Sequence, residues 1–116
     1  MKAIEPEVLV YIWLGRMDMR VSFDRLTEFV KANFASGFCS NALYVFLSRQ
    51  RDRVKILYWD RDGYALWYKR LEAGVFKVEQ QLGYEELTGV DLEQLLGGLD
   101  LSRIKLRKSV ENGLYS

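Results

Sequence analysis

Apolar and polar residues alternate along two neighbouring stretches of the chain, Val54–Trp59 and Tyr64–Leu71. A period of two places successive side chains on opposite faces of a β-strand. Asp60-Arg61-Asp62-Gly63 lies between the two runs. Asp-Gly in that position is a hairpin signal, because glycine accepts the positive φ that a tight turn demands. Folding the runs back on each other sorts their side chains into two faces. One face collects Val54, Ile56, Tyr58, Ala65, Trp67 and Leu71, with Lys69. The other collects Lys55, Leu57, Trp59, Tyr64, Leu66, Tyr68 and Arg70. The first reads as a sealed core face. The second mixes aromatics with cations and reads as a surface available to a partner.

The pattern elsewhere predicts the remaining elements. Val8–Leu14 is apolar on both faces and reads as a central strand, broken by Gly15-Arg16-Met17-Asp18. Phe23, Leu26, Phe29, Val30 and Phe34 recur at helical spacing, so a helix runs from Ser22 to about Phe34. Ser22 is expected to cap its first turn, and Asp24 suits its positive end. Leu43–Ser48 is the next strand, Arg49–Asp52 a turn, and Val75–Val78 a short strand after Ala73-Gly74. Leu43–Val78 thus reads as a meander of four antiparallel strands, since consecutive strands joined by short loops usually pair. Residues 79–87 read as loop. Thr88 with Asp91 resembles a capping box stapled by Leu87 and Leu92, opening a second helix over Val90–Leu96 that ends at Gly97-Gly98. The expected fold is α+β: an antiparallel sheet of about five strands with two helices. It occupies one domain over residues 1–116, with 1–7 and 103–116 as loosely ordered ends. If both helices cover one sheet face, the aromatic-basic face stays open. If they divide, it is buried.

Composition removes several function classes. Hydrophobic residues make up 49% of the 116 and charged residues 28%, which suits a folded domain with a real core. No apolar run approaches the roughly 20 residues that span a bilayer, and no signal-peptide flanks bracket Val8–Leu14. Cys39 is the only cysteine, which suits a reducing cytoplasm. The chain contains no histidine. Ser-His-Asp and Cys-His nucleophile systems and His-ligated zinc are therefore excluded as usually built, and one cysteine makes no thiolate zinc site. Asp18, Asp24, Asp60 and Asp62 sit at turns and a helix start, where aspartate serves the backbone rather than a metal. No catalytic residue, metal or cofactor is assigned.

The net charge is only +1, but it is unevenly spread. Arg49, Arg51, Arg53 and Lys55 fall within seven residues, and Arg103, Lys105, Arg107 and Lys108 fall in the tail. Lys and Arg contacts to phosphate supply most sequence-independent DNA affinity. The candidate nucleic-acid contacts are Arg49, Arg51, Arg53 and Lys55, joined by Lys69 and Arg70. Trp59 and Tyr68 could stack on exposed bases. Trp59, Tyr64 and Tyr68 form the candidate protein-docking face, since aromatics dominate binding hot spots.

Three segments together resemble one family. They are Gly15-Arg16-Met17-Asp18-Met19-Arg20 with Phe23-Asp24-Arg25-Leu26; Leu43-Tyr44-Val45-Phe46 with Lys55–Phe76; and Leu87-Thr88 with Leu92, Leu95-Leu96 and Gly98-Leu99-Asp100. The family is the small accessory protein encoded by the second open reading frame of bacterial transposable elements of the insertion-sequence-sixty-six class. Val21-Ser22 departs from the Lys-Gly typical before the helix, and Arg49-Gln50-Arg51-Asp52 keeps the basic turn without its glycine. The resemblance implies a role in transposition beside a separate, larger transposase; with it, the basic turn and the placement of the acids read as a non-catalytic accessory whose partner is DNA, the element ends. The alternative it leaves is an adaptor that binds the transposase through the aromatic face.

Overall fold

The computed structural model describes residues 8–77, 84–87 and 92. Its elements are β1 (Leu9–Trp13), α1 (Phe23–Asn33), β2 (Ala42–Leu47), β3 (Arg53–Asp60), β4 (Gly63–Arg70) and β5 (Tyr84–Leu87). The strands form one sheet in the order β4-β3-β2-β1-β5. All six residues of β2 are buried, as a strand covered on both faces must be.

The sheet is mixed rather than antiparallel. β1 runs parallel to β2, with Leu9 opposite Ala42 and Ile12 opposite Val45, while the other pairs are antiparallel. The reason is the connection: a strand that returns through a helix comes back in the same direction. Val75–Lys77 forms no strand, so the meander stops at β4 and Val78 lies outside the described residues. Phe76 is still anchored, its N–H donating to the Arg51 carbonyl at 2.7 Å and its ring buried. The far edge comes instead from β5, in a stretch that reads as loop. Of the predicted helix Val90–Leu96 only Leu92 is described; it is helical and fully buried. The predicted loose ends lie outside the described residues. No helix among the described residues is long and apolar enough to cross a membrane.

The hairpin register keeps the predicted sorting: Ile56 faces Trp67, Leu57 faces Leu66, and Lys55 faces Tyr68. Its turn differs. Gly63 belongs to β4, opposite Asp60, and the two-residue loop is Arg61-Asp62. The positive φ falls on Arg61, at 61°, not on the glycine. Ser22 occupies the N-cap position of α1 without a side-chain cap hydrogen bond; its carbonyl accepts the Leu26 N–H at 3.0 Å.

Both sheet faces are apolar and covered. Val10, Ile12, Leu43, Val45, Val54 and Ile56 pack with Phe76 and Leu92 on one side. On the other, Leu26, Val30 and Phe34 of α1 lie over Ala42, Tyr44, Phe46 and Leu57. The expectation of an open cationic face is thus corrected. α1 seals its centre, because the apolar stripe of the helix has to be buried somewhere and Leu57 offers the matching surface. What stays accessible of it is the β4 margin, where Tyr64 is 37% and Tyr68 51% exposed.

Candidate nucleic-acid interface

Between β1 and α1 the chain alternates again: Arg16, Asp18 and Arg20 are exposed, while Met17, Met19 and Val21 turn inward against the α1 core. The segment is tied to the sheet, with the Met17 N–H donating to the Leu47 carbonyl at 3.3 Å. Gly15 begins it at a close approach. A Cβ there would stand 2.9 Å from the Trp13 indole nitrogen, so a larger residue would displace that ring.

Two cations predicted to meet DNA do something else. Lys55 is only 8% exposed, and its ammonium donates to the Val21 carbonyl at 2.6 Å and lies 5.1 Å from the Tyr68 ring centroid. Burial pushes it below the ordinary lysine pKa, and the nearby Asp18 charge opposes that shift. Arg51 takes a left-handed backbone, φ 64°, in the turn that lacks the family's glycine. Its Nη2 donates to the Leu14 carbonyl at 3.3 Å. Lys55 and Arg51 thus hold the two ends of the 14–21 segment from below. Lys69 lies across from Val54, on the sheet face opposite α1.

The segment they hold completes a cleft. Arg16, Asp18 and Arg20 from one side, and Arg49 and Arg53 from the β2–β3 turn, line an open depression of about 680 Å³ with Tyr68 at its margin. Of the predicted set, Arg49 and Arg53 are brought there. The turn is rigid: the Ser48 hydroxyl donates to Asp52 Oδ1 at 3.1 Å and accepts the Arg53 N–H at 3.0 Å. Arg53 also stands directly across from Arg70, whose Nε contacts Glu72 at 3.3 Å. Like charges opposed on neighbouring strands are unfavourable without an anion between or beside them. Asp18 is the one carboxylate among the lining residues. Arg20 holds it by side-chain contacts of 2.8–3.2 Å and by its backbone N–H at 2.9 Å. Those hydrogen bonds bring its pKa down from 3.8 to about 2.

Arg16 and Arg20 were not among the predicted contacts. Their signal is the strict alternation of Arg16-Met17-Asp18-Met19-Arg20-Val21, which puts every charge on one side once the methionines are buried. The candidate acids do not converge. Asp24 sits in the first turn of α1 and Asp60 and Asp62 at the hairpin end, and no three of His, Cys, Asp and Glu group to hold a metal among the described residues. Of the aromatic trio, Trp59 is half-buried and donates its indole N–H to the Arg61 carbonyl at 3.0 Å, with Tyr64 edge-on at 5.0 Å.

The same stretches decide the relationship. The sequence matches the family described as IS66 Orf2 like protein over residues 8–106, a span that takes in the arginine segment, the basic turn and the whole hairpin. The chain belongs to this family. Two similar relatives come from Sinorhizobium fredii (strain NBRC 101917 / NGR234). Uncharacterized protein y4jC is 32% identical over 97 residues, covering 82% of this chain and 81% of the relative. Uncharacterized protein y4hO is 33% identical over 98 residues, covering 80% and 82%. No solved structure matches. Membership in the IS66 Orf2 like family makes this a transposition-associated accessory protein.

Proposed function

We propose that this chain is a non-catalytic accessory that grips the DNA backbone of its element in the cleft between the 14–21 segment and the β2–β3 turn. The observation that carries the reading is the meeting of Arg16, Arg20, Arg49 and Arg53 around one open depression. Guanidinium groups match phosphate bidentately and stay charged at any physiological pH. The inward Arg51 and Lys55 give the outward arginines a fixed backbone frame, so little loop ordering is left for binding. The element ends are the proposed target, and the contacts are of the sequence-independent kind.

Binding of duplex DNA measured against salt tests the proposal. The affinity should fall steeply as salt rises, because released counterions carry most of it. Arg16→Ala, Arg49→Ala and Arg53→Ala should each flatten the dependence by about 0.9 in the log–log slope. No binding at low salt would remove the proposal. A second reading, docking of the separate transposase on the aromatic margin, draws support from the exposure of Tyr64 and Tyr68. It predicts co-purification with the transposase that Tyr64→Ala and Tyr68→Ala weaken together.

A further inference from the structure

The cleft holds a group that gripping a backbone does not use. Tyr68 is the one aromatic side chain among the residues that line it, and it is 51% exposed. Lys55 and Tyr68 stand directly across from each other on β3 and β4, on the face that also carries Leu57 and Leu66. The Lys55 ammonium, tied to the Val21 carbonyl, lies over one face of the ring at 5.1 Å from its centroid. A cation so placed is attracted to the ring's π-electrons. An exposed ring is therefore held at the cleft's margin by a buried charge, with its other face left over. Arg53 follows Lys55 on the same face of β3, and Arg16, Arg20 and Arg49 line the rest of the depression.

A double helix makes poor use of such a ring, because its bases are paired and stacked inside. An unpaired strand offers the π-face of each base next to its phosphates. A positive groove fitted with an aromatic ring is how single strands are bound without sequence preference. Size points the same way. The depression of about 680 Å³ falls within the range of sites that enclose small ligands, roughly 300–1,000 Å³. A flexible strand can enter a hollow of that size, whereas a duplex, stiff over roughly 150 base pairs, touches only its rim. We propose that the cleft takes single-stranded DNA: an unpaired base stacks on the free face of Tyr68 while Arg16, Arg49 and Arg53 hold the adjoining phosphates. The proposal rests on the backbone-gripping reading above and names the form of DNA that it selects. Its target is an unpaired stretch at the element ends.

Fluorescence anisotropy of the full chain with three labelled probes tests this: a short oligothymidylate strand, the same strand with abasic sites, and a blunt mixed-sequence duplex of equal length. At one salt concentration the intact strand should bind tighter than the duplex, and removing its bases should abolish the advantage. Tyr68→Ala, checked for folding by circular dichroism, should weaken strand binding on the order of ten- to a hundredfold. The salt slope should stay as it was, because no charge is lost. Tyr68→Phe should retain the affinity, since the ring and not the hydroxyl does the stacking. A duplex bound as tightly as the intact strand overturns the proposal and leaves the backbone grip standing. So does an abasic strand bound as tightly as the intact one, a result that needs no variant, or strand binding indifferent to Tyr68→Ala. An oligouridylate bound tighter than the DNA strand assigns the cleft to RNA and overturns it too. No binding of any probe at low salt removes the grip itself, and this proposal with it.

Discussion

The charge of Asp18 is the most informative single group in the cleft. Its carboxyl is bound by the Arg20 side chain and backbone N–H, and its pKa lies at about 2, below the 3.8 of a free aspartate. A depressed carboxyl pKa means the pair is intact above the ordinary value and is lost only as pH falls through the folded one. An NMR titration of the Asp18 carboxyl should therefore show a midpoint near 2, moving back towards 3.8 in Arg20→Ala. The same pair has a consequence for binding. Asp18 neutralises one of the cleft's arginines, so Asp18→Asn should tighten DNA binding and steepen its salt dependence, read from the same isotherms. Arg61 offers a third check at this scale. Its φ of 61° is costly for a residue with a Cβ, so Arg61→Gly should leave stability unchanged or raise it by up to about 1 kcal/mol in chemical denaturation.

At the scale of the element, the site rests on how β2 and α1 are held. Tyr44, fully buried on β2, reaches beyond the strand: its hydroxyl donates to the Gly37 carbonyl at 3.1 Å and accepts the Cys39 N–H at 2.8 Å. It pins the loop that returns from α1, and burial pushes its phenol pKa upward. Tyr44→Phe should cost about 1–3 kcal/mol, because two backbone groups lose their partner while the ring stays in place. Leu57 on β3 belongs to the core by which α1 seals the hairpin, with Leu66 of β4 packed against it. Leu57→Ala should cost about 2–5 kcal/mol by the same assay. Helical spacing made α1 legible, although Phe23, read as the start of its buried stripe, is 41% exposed, and period two made the hairpin legible. The 14–21 segment was not, because its alternation serves a tether rather than a strand. Its inward residues meet α1, and its ends meet Lys55 and Arg51, partners 34 and 37 positions away in sequence.

Over the whole molecule, cations that are neighbours in sequence take opposite jobs. Arg49 and Arg53 face out, while Arg51 and Lys55 reach in to carbonyls. Arg51→Ala should therefore weaken DNA binding only through the frame, with loss of stability in denaturation, whereas Arg49→Ala should leave stability unchanged and reduce the salt slope by about 0.9. A result in which both variants behave alike would remove the division of labour. The parallel pairing of β1 with β2 belongs to this scale too. It places the end of β1 beside the end of β2, and so brings the segment after one strand against the turn after the other.

Local periodicity determined α1, the hairpin and the sorting of its side chains, because those depend on residues within one or two turns of each other. The stretch after β1 and the basic turn were also visible as charged sequence. Tertiary structure alone decided that they adjoin, that Lys55 and Arg51 are structural, and that α1 closes the face read as open. Whether a cation meets solvent or a carbonyl depends on what the rest of the chain lays over it, and no pattern of neighbours carries that information.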